Sequence, residues 1–195
     1  MARTPSSRRM GPVGSTNWHA MLDAAEATLL EEGYGALTSR RIAERIGVKQ
    51  RLVYYYFQTM DELIVETFRR MSQRELERMR QTLELDVPAR ELWNVCIHTT
   101  DARVTSEFMA LAYRSESLRQ EVIHFIEESR NIQAEAVARS LARSGVASPL
   151  DADGIALFAT GIALAMTRES ALGVSKGHQS LIALVEGFLD RIEPR

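Results

Sequence analysis

The sequence predicts an all-α protein of about nine helices, three in a small N-terminal domain and the remainder in a larger one. Three observations carry this. Apolar residues keep the three-four spacing of a helix face from residue 18 to residue 192, and no run alternates as a half-buried strand would. Glycine, proline and hydroxyl residues divide the pattern into pieces of helical length. With 195 residues, 45% of them apolar, the chain can bury a core without disulfides or metal.

The elements follow in order. Residues 1–14 contain Pro5, Gly11, Pro12 and Gly14 without apolar periodicity and read as a flexible arm, made basic by Arg3, Arg8 and Arg9. Met21, Leu22, Ala25, Leu29 and Leu30 then line one face of a first helix, with Ser15, Thr16 or Asn17 as its cap and Gly33 as its stop. Thr38 places a hydroxyl to cap a short second helix through Ile42, Ala43 and Ile46, and Gly47 ends it. Residues 49–57 are long enough for a third helix of two turns, after which Thr59 and Glu62 have the spacing of a capping box. The fourth helix runs through Leu63, Ile64, Phe68 and Met71 towards Leu83. Pro88 breaks the pattern, and helical period resumes over 92–100, 106–113, 118–143, 152–172 and 178–192. The expected units are therefore an arm (1–14), a small three-helix domain (15–58) and a larger helical domain (59–195).

Charge bounds the partners. A net charge of -2 argues against indiscriminate coating of nucleic acid, but the average hides a local patch. Between residues 38 and 57, Arg40, Arg41, Arg45, Lys49 and Arg51 face a single acidic residue, Glu44. A lone Cys96 and no recognisable secretory signal make the cytoplasm the expected compartment. The most apolar window, 155–166, would span about 18 Å as a helix, short of a bilayer core of about 30 Å, so no membrane partner is expected.

A short helix, a turn containing glycine and a second short helix that is basic and aromatic form the helix-turn-helix pattern, in which the second helix enters the major groove of duplex DNA. Lys49, Gln50 and Arg51 stand at its start, where arginine can bond guanine and glutamine can bond adenine. Tyr54, Tyr55 and Tyr56 follow on the next turn, placed to meet phosphates.

The stretch GYGALTSRRIAERIGVKQRLVYYYFQTMDEL, residues 33–63, resembles the TetR family of bacterial transcriptional regulators. The resemblance implies that Ser39 and Arg40 on the second helix, with the capping Thr38, face DNA together with Lys49, Gln50, Arg51, Leu52, Tyr54, Tyr55 and Tyr56. Ile42 and Phe57 belong to the small core. Two departures stand out: Met60 replaces a lysine common in the family, and the recognition helix opens with the bulky Lys49-Gln50-Arg51-Leu52. From about Thr59 onwards the resemblance implies a ligand-binding and dimerisation domain, with the last two helices forming a four-helix bundle between subunits. Gly154, Phe158 and Gly161 on one helix and Leu181, Leu184, Val185 and Phe188 on the next suit that contact.

An effector site is expected among Trp93, Phe108, Met109, Tyr113, Met79, Phe125 and Met166, with His98, Thr100, Arg103 and the Tyr113 hydroxyl as polar groups. Each of these residues also suits ordinary core packing. Cys96 and His98 lie two apart and face different directions, and His19, His124 and His178 are scattered, so neither metal nor cofactor is expected. No nucleophile elbow or glycine-rich phosphate loop is present. The expectation is a homodimeric, ligand-responsive repressor on a palindromic operator, responding to a small apolar molecule and carrying no enzymatic step. One rival is an all-α enzyme or lipid-handling protein with an accessory helix-turn-helix, which turnover of a bound molecule would favour. Another is a module whose helix-turn-helix contacts protein, which salt-insensitive binding would favour.

Overall fold

Capping side chains decide where most of the helices begin. The computed structural model describes residues 11–98 and 102–194, and among these it holds nine α-helices and no strand. Helix α1 (Thr16–Glu32) opens at Ser15, α2 (Ser39–Arg45) at Thr38, α4 (Met60–Thr82) at Thr59, α7 (Glu116–Ser144) at Ser115 and α8 (Ala152–Ala171) at Asp151. In each, the cap side chain accepts a hydrogen bond from an amide in the first turn that has no partner within the helix. The remaining helices are α3 (Gln50–Tyr56), α5 (Pro88–His98), α6 (Ala102–Ala112) and α9 (His178–Ile192), and a short 3-10 turn occupies Tyr34–Ala36. The capping box at α4 is shifted by one residue: the Glu62 carboxylate accepts from Gln58 N at 2.7 Å, not from the Thr59 amide.

Two sequence expectations need correction here. Pro88 does not interrupt the chain between helices but is the first residue of α5, where a missing N–H costs nothing because that amide would have no helical acceptor. Helix α6 begins earlier than expected, and residues 99–101, with Thr100, lie outside the described residues.

The three N-terminal helices do not close a core of their own. Met21, Leu22, Leu29, Ile42, Val53 and Phe57 share one apolar cluster with Leu63, Ile64 and Phe68 of α4, Val104 and Phe108 of α6, and Leu118 and Val122 of α7. The far half of α4 packs Leu76 and Met79 against Leu92 of α5 and Ile132 and Ala136 of α7. A third cluster joins Trp93, Val137, Ile162, Met166, Leu189 and Ile192 from α5, α7, α8 and α9. Helix α6 also grips the end of α1. Arg103 donates to the carbonyls of Leu29 and Leu30, where a helix carries partial negative charge. Glu107 Oε2 accepts from Tyr34 N at 3.0 Å.

The start of α5 is capped from the far end of the chain. Glu193 is buried, and its two carboxylate oxygens accept from Ala89 N and Arg90 N, both at 2.9 Å. Ser140 of α7 donates a third hydrogen bond to the same carboxylate at 2.5 Å. Arg90, itself buried, pairs with Glu186 at 2.7 Å and Asp190 at 2.8 Å on α9. Replacing Glu193 by alanine strands two helix amides in the interior, so Glu193→Ala should lower the unfolding free energy by about 3 kcal/mol. Urea titration followed by helical circular dichroism checks this; an unchanged midpoint would mean that water replaces the carboxylate at no cost.

Candidate nucleic-acid interface

The turn between α2 and α3 is set by Gly47, whose φ of +69° lies in the left-handed region that side chains disfavour. Val48 N closes the turn on Ala43 O at 2.9 Å. Helix α3 then buries Val53 and Tyr56, with Phe57 just beyond it, and presents Lys49, Gln50, Arg51, Tyr54 and Tyr55 to solvent. Leu52 is half-buried against the shared cluster.

A hydrogen-bonded chain crosses from α3 to α2 and back. Gln50 Nε2 donates to Ser39 Oγ at 2.8 Å, and Ser39 Oγ donates to the Tyr54 hydroxyl oxygen at 3.0 Å. Ser39 is therefore buried as a bridge and not presented outward, although its position was read as facing DNA. The arrangement leaves Gln50 Oε1, one Nε2 hydrogen and the Tyr54 O–H pointing to no protein partner. Those are the groups that a base edge and a phosphate would use.

The basic patch is smaller than the sequence suggests. Arg40 is paired with Glu44 at 2.8 Å, Arg41 with Glu32 at 2.7 Å, and Arg45 with both Glu31 and Glu32. The hydrogen bond from Arg41, followed by that from Arg45, holds the Glu32 carboxyl below its usual range. Two of the five cations thus fasten α2 to the end of α1. Lys49 and Arg51, both exposed, have no carboxylate partner among the described residues.

Residues 1–10 lie outside the described residues; of the rest of the expected flexible arm, Pro12, Val13 and Gly14 are exposed but Gly11 is packed. Gly11 is buried, and its N–H donates to Tyr55 O at 2.8 Å. The ring of Tyr56 covers it so closely that an added Cβ would stand 2.4 Å from ring carbons. Tyr56 accordingly faces the arm and the core, only 7% exposed, and not open solvent as its neighbours do. Apart from glycine's lack of a side chain, nothing local to residues 11–14 signals this contact.

The residues expected to line an effector site are not brought together. Phe108 packs against Phe68 in the first cluster, and Phe125 is half-buried between the first and the Leu76–Met79 cluster. Met109 is exposed, Tyr113 is 80% exposed just past the end of α6, and Arg103 of α6 is engaged with the end of α1. Met166 is core, while the His98 side chain and Thr100 lie outside the described residues. Of these residues only Trp93 borders the apolar pocket of about 60 Å³ that lies between α5, α7, α8 and α9. Its polar wall is one connected set: Thr160 Oγ1 donates to Gln133 Oε1 at 2.8 Å, and Gln133 Nε2 donates to Cys96 Sγ at 3.6 Å. Trp93 Nε1 is buried without an acceptor among the described residues. Burial pushes the Cys96 thiol up to about 11, so this wall carries no charge at neutral pH. Among the described residues no group of His, Cys, Asp and Glu is placed to hold a metal ion.

The residues expected at a dimer contact divide into two sets. Phe158, Gly161 and Leu184 lie on the outside, joined there by Leu157 and Leu164. Val185 and Phe188 instead turn inward onto the cavity, and Leu181 packs into the third cluster. Gly154 serves the first turn of α8, where its N–H meets the Asp151 cap at 2.8 Å.

Residues 21–67 match the model of "Bacterial regulatory proteins, tetR family". No curated protein gives a significant match. Among solved structures, a TetR transcription regulator from Haloarcula marismortui is similar with a TM-score of 0.75 and 16% identity, over 89% of this chain and 95% of that one. A putative transcriptional regulator from Saccharomonospora viridis in complex with choline has a TM-score of 0.75 and 19% identity, over 86% of this chain and 94% of that one. The regulator FadR from Bacillus subtilis in complex with stearoyl-CoA has a TM-score of 0.60 and 18% identity, over 91% and 98%. At these identities the likeness is one of fold. Among the described residues no helix is long and apolar enough to cross a membrane.

The chain of hydrogen bonds through Ser39 separates reading from positioning. Gln50→Ala should cost about 1 to 3 kcal/mol on the preferred duplex and relax preference at one base position. Ser39→Ala should weaken binding less, by on the order of 1 kcal/mol, since Gln50 stays but loses its support. Affinities for a panel of single-base duplex variants at one salt concentration check both. Unchanged base preference in the Gln50 variant would remove this residue from the reading surface.

Proposed function

We propose that the chain, whose residues 21–67 match the tetR family of bacterial regulatory proteins, is a ligand-responsive repressor acting as a homodimer on a palindromic operator. The observation that carries this is the start of α3, where Lys49, Gln50 and Arg51 are exposed and uncommitted to any carboxylate among the described residues while every arginine of α2 is paired. Such a surface can place two or three side chains on base edges and the tyrosines behind them on the backbone. Thr38 and Arg40 stand at the start of α2, and Leu52 in the first turn of α3.

Two-fold symmetry would come from the outer face of α8 and α9. Leu157, Phe158, Gly161 and Leu164 on α8 and Leu184 on α9 leave a contiguous exposed apolar surface, which a monomer would keep wet at a cost. Nothing fills the space beside Gly161 or Gly187, so a partner helix could approach closely at both.

The effector would enter between α5, α7, α8 and α9. The cavity there is smaller than the roughly 300 to 1,000 Å³ of ordinary ligand sites, so binding has to push these helices apart. That supports a sensor in which the liganded body differs from the free one, since a ligand shifts an equilibrium only by its difference in affinity for the two states. Solved structures of similar fold hold choline and stearoyl-CoA. Here the neutral Gln133-Thr160-Cys96 wall and the unpaired Trp93 N–H favour an uncharged, largely apolar molecule with one hydrogen-bond acceptor.

Selection of binding sites from random duplex DNA tests the proposal directly. It should return an inverted repeat with half-site centres about 34 to 36 Å apart. Recovery of no enriched sequence would overturn it. Leu184→Glu leaves the protomer core untouched but sets a carboxylate in the proposed contact, so sedimentation should show monomers and operator affinity should fall by tenfold or more. Phe188→Glu is the poorer probe, because that side chain also fills the protomer interior. A dimer undisturbed by Leu184→Glu would move the contact elsewhere.

A further inference from the structure

Four side chains give the cavity between α5, α7, α8 and α9 its polar groups: Trp93, Cys96, Gln133 and Thr160. Three of them satisfy one another. Gln133 Oε1 accepts from Thr160 Oγ1 at 2.8 Å, and Gln133 Nε2 donates to Cys96 Sγ at 3.6 Å. Thr160 Oγ1 also lies 2.8 Å from Ala156 O in its own helix, so its single hydrogen has two acceptors within reach. The fourth group is left over. Trp93 is only 4% exposed, and its Nε1 is the one side-chain nitrogen or oxygen of this wall that is buried without a partner among the described residues. An indole N–H is a donor and nothing else, so the wall lacks an acceptor. A ligand oxygen there would recover the free energy that an unpaired buried donor forfeits.

We propose that the ligand of this cavity is a neutral carbonyl compound, a ketone or ester on an apolar frame, and that Trp93 Nε1–H is the donor that recognises its oxygen. The proposal rests on the reading of this cavity as the ligand site and narrows it, from any apolar molecule with an acceptor to one with an acceptor and no donor. A ligand O–H or N–H would have to compete with Thr160 for Gln133 Oε1 or turn the Thr160 hydroxyl away from its present acceptors. A water molecule has that fault twice over, since it brings two hydrogens. A carbonyl oxygen brings none. Charge is not called for either, because the rest of the lining is aliphatic and aromatic. Beyond burial, the two charges that bear on the Cys96 thiol, Glu75 and Arg130, lie outside that lining and act in opposite senses. The donor is also in place before a ligand arrives: Trp93 stands one turn beyond the α5 amides that Glu193 caps.

Cyclohexanone, cyclohexanol, methylcyclohexane and cyclohexanecarboxylate share one ring and offer, in turn, an acceptor alone, an acceptor with a donor, neither, and a charge. Each is titrated into the full chain labelled with nitrogen-15, and the indole N–H signals are followed by NMR. The chain has two tryptophans, and the signal missing from Trp93→Phe is that of Trp93. Cyclohexanone should move this signal downfield, as a hydrogen bond to the indole proton does. It should bind about tenfold more tightly than cyclohexanol or methylcyclohexane, and in Trp93→Phe its advantage over methylcyclohexane should disappear. Equal binding of ketone and alcohol, tightest binding of the carboxylate, or a Trp93 signal unmoved by bound ketone overturns the proposal, and the wild-type titrations decide this even if the variant does not fold. Those outcomes leave the sensor reading standing. That reading is tested apart, by affinity for the duplex obtained by selection: ketone binding as expected with operator affinity unaltered supports the recognition chemistry and overturns the sensor role. Binding of none of the four overturns both.

Discussion

Helix α4 has to complete two cores with one rigid element, and most of the architecture follows from that constraint. Its first half closes the core of the DNA-binding helices with Leu63, Ile64 and Phe68, and its second half packs Leu76 and Met79 against α5 and α7. A helix of 23 residues transmits a shift at one end to the other, because close-packed interiors deform by discrete repacking and not by stretching. The second tie, from Arg103 and Glu107 of α6 to the end of α1, means that the N-terminal helices are held from two sides. A change in how α5, α7, α8 and α9 pack thus has two mechanical routes to α3.

Electrostatics on the interface is arranged for definition more than for strength. Carboxylates of α1 take up Arg41 and Arg45, which fixes the angle of α2 and removes charge that would hold any duplex equally well. The uncommitted cations are confined to the start of α3, beside a glutamine whose amide is steadied by Ser39. These exposed ion pairs contribute little to stability individually, about 0 to 1 kcal/mol each, so their value lies in where they leave the remaining charge.

What was legible in the sequence was what is local. The caps at Ser15, Thr38 and Thr59, the stops at Gly33 and Gly47, and the helical period of 178–192 each depend on a few neighbouring residues, and the helices stand where these signals put them. The helix-turn-helix was readable for the same reason, since its turn glycine and basic, aromatic second helix lie within 20 consecutive positions. Contacts between distant segments were not. Composition could not tell that Ser39 bridges Gln50 and Tyr54, that Arg103 caps α1 instead of lining a cavity, or that Tyr113 stands in solvent. The inward and outward sides of α9 differ by one step of the helix. That is why Leu184 and Val185, adjacent in sequence and alike in chemistry, face solvent and cavity respectively.

The Glu193 cap ties the life history of the chain to its sensing half. The amide of Arg90 and the carboxylate that satisfies it are 103 residues apart, so during synthesis α5 remains open at its first turn until residue 193 has left the ribosome. By then α1 through α4, α6 and the first half of α7, all that the first core requires, have long been made. The first core can therefore close on the nascent chain while the α8–α9 half is still unassembled. A newly made chain can finish its N-terminal half first and the first turn of α5 last, at the moment when Glu193 seats on α5.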